Sequence, residues 1–116
     1  REDALIPCGG GRVLVPTGLA VAIPRGYAGF VLPRSGLALK HGISAANSPG
    51  LIDSGYRGEL KVIVLNTDSS SDYQIKRGDR IAQLVIASYT RVDWVKQDSL
   101  DATERGTGGF GHTGKS

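Results

Sequence analysis

An all-β domain made of many short strands is the fold class this sequence predicts, and three observations carry that expectation. The apolar, β-prone runs are short and are separated by turn residues. No stretch sustains the three-to-four-residue spacing of a long amphipathic helix. Glycine numbers 17, which suits frequent tight turns. At 116 residues the chain is long enough for one compact domain and too short for two.

Taken in order, residues 12–33, RVLVPTGLAVAIPRGYAGFVLP, form short strand-like runs broken by Pro16, Gly18, Pro24, Gly26 and Gly29. SGLALK, residues 35–40, is the one place for a short helical turn, with Ser35 as its N-cap. Residues 47–59, NSPGLIDSGYRGE, read as a β-hairpin: two apolar runs flank Ser54 and Gly55, and a glycine supplies the positive φ that a two-residue loop needs. The second run continues as LKVIVLN. Residues 66–72, NTDSSSD, are a polar loop, followed by a strand at 73–75 and a turn at 77–79. RIAQLVIA, residues 80–87, is a β-prone run with one intruding amide, Gln83, and YTRVDWV, residues 89–95, alternates as a last strand. Beyond Gln97 the chain turns polar and glycine-rich, so residues 1–97 are expected to form the β domain and residues 98–116 a flexible tail. Short strands at regular spacing suggest a sandwich or jelly roll.

The composition narrows the function. A net charge of +3 and a pI near 9.3 suit a polyanionic ligand. The basic residues are scattered along the chain, so a nucleic-acid surface is not indicated. Cys8 is the only cysteine, which excludes an intrachain disulfide and a thiolate metal site and fits a reducing compartment. No apolar run approaches the roughly 20 residues of a membrane span, and no signal peptide is evident. A soluble, cytoplasmic protein is the expectation.

Two places carry chemistry. Asp53 places a carboxylate beside the turn, three residues before the aromatic Tyr56. Arg34 precedes the helical turn, whose free N–H groups would form an anion site. Gln83, inside an apolar run, must face outward or find a partner. The last eight residues, GFGHTGKS, satisfy the phosphate-loop pattern, but no apolar strand precedes them and no residues follow to form the helix that motif requires.

Four blocks, PRSGLALKHGIS from Pro33, the segment around Asp53, GDRIAQLV from Gly78 and RGTGGFGHTG from Arg105, together resemble the trimeric dUTPases in order and spacing over nearly the whole chain. That resemblance implies a jelly-roll-like (β-clip) fold with at most one short helix. It also implies hydrolysis of dUTP to dUMP and pyrophosphate, which limits uracil in DNA and supplies dUMP for dTMP synthesis. Asp53 matches the aspartate that activates the water attacking the α-phosphorus. Arg34, Ser35 and Gly36 match the phosphate-contacting R-S-G, Gln83 a further phosphate ligand, and Arg105 the arginine that reaches the γ-phosphate. Asn47, with the backbone around Gly50 and Ile52, matches the uracil site; Tyr56 would pack on the deoxyribose and Phe110 on the base. Mg²⁺ would bridge the substrate phosphates without a dedicated protein cage, so no metal-ligating residue is assigned. The family assembles as a homotrimer with three sites at subunit interfaces, each closed by another subunit's tail. No direct nucleic-acid or membrane partner is implied.

One departure stands out. The family's first block, an alanine-glycine-x-aspartate-leucine sequence whose aspartate contacts the metal through water, is not present. Arg1 falls where that block should end, so the simplest reading is that the sequence begins after it. Two alternatives follow. A related family, dCTP deaminase, shares the fold but carries its catalytic glutamate where this chain has Ile63. A catalytically weak regulatory nucleotide-binding protein is the other, and the intact Asp53 argues against it.

Overall fold

The computed structural model describes residues 3–111. Eight strands and one helix follow in the order β1 (Ala4–Ile6), β2 (Arg12–Pro16), β3 (Tyr27–Pro33), α1 (Ser35–His41), β4 (Ile43–Ala45), β5 (Gly50–Ile52), β6 (Lys61–Asn66), β7 (Tyr73–Ile75) and β8 (Ala82–Ser88). The strands form three antiparallel sheets, β2-β6-β4, β5-β3-β8 and the pair β1-β7. The all-β expectation, with one short helix, holds.

Strand β6 organises the core. Val62, Val64 and Asn66 are buried while Lys61 is exposed and Ile63 and Leu65 are half-buried, the period-two alternation of a strand with one face inward. Val62 and Val64 meet Ile6, Val15, Ile43, Ala45 and Ile75 in one cluster drawn from β1, β2, β4 and β7. Asn66 ends the strand at 0% exposure, and its amide is fully engaged: Nδ2 donates to the carbonyls of Ile6 and Ser71, both at 3.0 Å, and Oδ1 accepts the Asp68 N–H at 2.9 Å. That residue joins β1, β6 and the following polar loop at one point. The loop is tied further by Asp68, whose carboxylate accepts the N–H groups of Ser71 and Ser70, and by Asp72, which accepts the Cys8 N–H. Those bonds hold the Asp68 carboxyl below its ordinary value, Ser71 contributing most. Hydrogen bonding to Asp72 pushes the Cys8 thiol up.

Four sequence expectations are corrected. The run before the Ser54-Gly55 turn and the run after it are not a hairpin pair: β5 hydrogen-bonds to β3 and β6 to β2 and β4. The turn itself exists, with the Tyr56 N–H donating to the Asp53 carbonyl at 3.1 Å, but Gly55 is not among the positive-φ glycines, so a chain crossing between sheets replaces the primed hairpin turn. The helix N-cap is Arg34, at φ −96° and ψ 131°, since β3 keeps its extended backbone until that residue; Ser35 is the first helical position. Residues 89–95 form no strand. Their alternation lacks a neighbouring strand in this chain to pair with, and without a ladder the pattern has no hydrogen-bonded partner. A further strand, β1, arises where no run was singled out.

Helix α1 stops at Gly42, φ +66°, whose N–H donates to the Ala38 carbonyl and whose carbonyl accepts from Thr67. Strand β8 leaves Leu84, Val85 and Ile86 exposed, so both of its faces lack cover there, and the following segment exposes Val92, Trp94 (92%), Val95 and Leu100. The radius of gyration is 19.1 Å, whereas a compact chain of this length has about 13 Å. No helix of the described residues is long and apolar enough to cross a membrane.

Candidate active site

The turn after β5 is built to hold a carboxylate and an aromatic ring in fixed relation. Asp53 leaves the strand directly and is exposed. Its carbonyl closes the turn to Tyr56, whose hydroxyl donates to the Glu59 carbonyl at 2.8 Å. Arg57 clamps the same turn from outside, Nη1 donating to the carbonyls of Ser54 at 2.7 Å and Tyr56 at 3.0 Å. Glu59 anchors it from below, its Oε2 accepting the Gly18 N–H at 2.8 Å. Neither Arg57 nor Glu59 was singled out from sequence, although both lie within the 47–59 segment. Asn47 lies at the other end of β5, with its Nδ2 placed 3.3 Å from where a Cβ on Gly50 would sit. A side chain at Gly50 would crowd that amide.

A second cluster forms where β3 gives way to α1. Arg34, Ser35 and Gly36 are consecutive there, the helix start has no side-chain cap, and the space where a Cβ on Gly36 would stand is open. First-turn N–H groups without intrahelical partners favour anions. Gln83 sits opposite Leu32 on β8, and its Nε2 donates to the Pro33 carbonyl at 3.1 Å, one residue before Arg34. Arg34 also lines a groove of about 760 Å³ together with Lys76, Arg77 and Arg80. Cations scattered in sequence thus border one groove, with Asp79 among them, because the turn after β7 and the start of α1 both line it.

The two clusters do not meet within one chain. Ile52 pairs with Gly29, so Asp53 emerges beside the Tyr27 end of β3, while Arg34 follows its Pro33 end. At roughly 3.3 Å per residue that separation is about 20 Å along the strand. A phosphate held at Ser35 is out of reach of an Asp53 carboxylate from the same subunit.

The last two candidates lie on the tail. Arg105 Nε donates to the Gly108 carbonyl, whose own N–H returns to the Arg105 carbonyl at 3.1 Å, and Phe110 is fully exposed. The tail block's Gly114 and most of the phosphate-loop pattern fall outside the described residues. Ile63, where a deaminase has glutamate, is half-buried and pairs with Leu14.

The family model described as dUTPase matches residues 1–114. A deoxyuridine 5'-triphosphate nucleotidohydrolase from Leifsonia xyli subsp. xyli is 56% identical over 105 residues, 90% of this chain and 69% of the relative. Four such relatives extend beyond the chain, which spans 63% to 70% of their length. Among solved structures, a variant of the Staphylococcus bacteriophage 80alpha dUTPase with dUpNHpp superposes with a TM-score of 0.88 at 26% identity, covering 97% of this chain and 81% of that one. A variant dUTPase from phage phi11 of S. aureus, described for its coordination of a structural Mg(II) ion, gives 0.77 at 25% identity, covering 87% and 80%. The fold and these matches place the chain among nucleotide hydrolases. The chain belongs to the dUTPase family, enzymes that hydrolyse dUTP.

Proposed function

We propose that the chain converts dUTP to dUMP and pyrophosphate in a homotrimer whose sites are each assembled from more than one subunit. The observation that carries this reading is the family match across residues 1–114. Asp53 of one subunit takes a proton from water as its oxygen bonds the α-phosphorus; the bond from that phosphorus to the bridging oxygen breaks, and its electron pair leaves with pyrophosphate. Ser35 and Gly36 N–H groups, with Arg34 and Gln83, hold the phosphate oxygens in line for that attack. Asn47 and the backbone at Gly50 and Ile52 pair with uracil, and cytosine, with its pattern inverted at one edge, leaves buried groups unmatched. Tyr56 packs on the deoxyribose where a 2′-hydroxyl would stand.

Residues 98–116 act as a lid, Phe110 stacking on the base and Arg105 exchanging its bond to Gly108 for the γ-phosphate. Mg²⁺ would be held mainly by the substrate's phosphate oxygens and would offset their charge. The separation of about 20 Å between Asp53 and the phosphate cradle supports sharing between subunits, as do the exposed apolar residues of β8 and the segment after it. Pyrophosphate release from dUTP, with dCTP, dTTP and UTP as controls, tests the reading. Strong preference for dUTP is expected, and equal rates on dUTP and dCTP would reject it.

A further inference from the structure

Gly58 stands two residues after Tyr56, and its backbone does not require glycine: its φ lies outside the left-handed region that Gly42 and Gly78 occupy. The Tyr56 ring fills the room its side chain would take. A Cβ at Gly58 would lie 2.5 Å from Tyr56 Oη, 2.7 Å from Cζ and 3.0 Å from Cε1, well inside the roughly 3.5 Å of carbon contact. The ring therefore lies folded back over the chain. Its hydroxyl pins it there through the 2.8 Å bond to the Glu59 carbonyl.

That anchor is itself fixed. Glu59 Oε2 accepts the Gly18 N–H, the Leu60 N–H donates to the Leu19 carbonyl at 2.7 Å, and Thr17 Oγ1 donates to the Leu60 carbonyl at 2.7 Å. The tilt of the ring is thus referred to the connection between β2 and β3 and not only to its own rotamer. Tyr56 is nonetheless 43% exposed.

We infer that Gly58 is a positioning residue for sugar selection: by leaving space for Tyr56 to lie back, it sets the depth of the deoxyribose site and so the preference for dUTP over UTP. This rests on the reading of Tyr56 as the sugar-contacting ring. An alanine Cβ displaces the far end of a side chain and no backbone, so the ring moves by about 1 Å while the fold persists, and displacements of that size in a binding site cost up to about a hundredfold.

The test compares kcat/KM for dUTP and UTP in the wild type, Gly58→Ala, Tyr56→Phe, Tyr56→Ala and the double alanine variant, with thermal unfolding and oligomer mass as controls. Gly58→Ala should narrow the dUTP-to-UTP ratio by about tenfold or more, mainly through the KM for dUTP, with unfolding temperature and oligomer mass unchanged. Tyr56→Phe, which keeps the ring and loses only its pin, should narrow the ratio less. The double variant should match Tyr56→Ala alone, since Gly58 acts only through the ring. A wild-type ratio in Gly58→Ala, or a double variant whose loss is the product of the two singles, overturns the inference while leaving Tyr56 in place. A wild-type ratio in Tyr56→Ala overturns the Tyr56 reading and this inference with it. Should Gly58→Ala not fold, a wild-type ratio in Tyr56→Phe decides against the pinned ring.

Discussion

Mixing two inactive variants tests the shared site most directly. Asp53→Asn keeps the shape of the turn and removes the base; Arg34→Ala keeps the turn and removes the cation of the phosphate cradle. Asp53 follows the β5 residue paired with Gly29 while Arg34 follows the Pro33 end of β3, about 20 Å apart along the strand, so the proposed site takes them from different chains. In trimers assembled at random from equal amounts of the two, a given site draws an intact Asp53 with a chance of one half and an intact Arg34 with the same chance. About a quarter of the sites are then complete, so activity should return to about a quarter of wild type. General-base removal leaves about 10⁻² to 10⁻⁴ of the rate, which puts the recovered signal at about 25-fold or more above that parent. The assay is dUTP turnover after joint refolding or co-expression, with native mass spectrometry to count mixed trimers. Mixed trimers no more active than the average of the parents would refute the reasoning, since they place Asp53 and Arg34 of one chain in one site.

Asp53→Asn alone should lower kcat by about two to four orders of magnitude while dUTP binding, measured by calorimetry, persists; wild-type turnover would remove Asp53 from the mechanism. Deleting residues 105–116 should cut turnover sharply without changing oligomer mass, and Phe110→Ala should lose a smaller part, base stacking on an aromatic being worth about 1 to 3 kcal/mol. Unaltered kinetics in the deletion would make the tail inert. Asn66→Asp turns both donors at the core joint into acceptors facing the Ile6 and Ser71 carbonyls, so a loss of about 3 kcal/mol or more in urea unfolding is expected at pH 8. Burial raises the folded pKa of that new carboxyl, so the deficit should shrink as the pH is lowered toward 5; a pH-independent deficit would speak against the charge. Asp68, held below its ordinary 3.8 by the Ser71 and Ser70 N–H groups, contributes stability that is present above that value and lost as the pH falls through its lower folded value. The difference in urea midpoint between wild type and Asp68→Ala should therefore narrow as the pH falls below 3.8 and through that lower folded value.

Local chemistry made much of this legible in the sequence. Short β-prone runs divided by glycine and proline specify strands wherever they are read, and the alternation of Val62, Val64 and Asn66 needs only the period of a strand to put one face inward. The blocks around Arg34, Asp53 and Gln83 identify a family because residue type and order survive without coordinates. Tertiary structure decided what depends on which strand lies beside which. Two runs joined by Ser54 and Gly55 look like a hairpin, yet each pairs in a different sheet, and pairing is a property of the partner as much as of the strand. The alternating 89–95 segment gains no ladder for the same reason. The convergence of Arg34 with Lys76, Arg77 and Arg80, the separation of Asp53 from the phosphate cradle, and the space at Gly58 filled by the Tyr56 ring are distances between residues, and one-dimensional order carries no distances across a sheet.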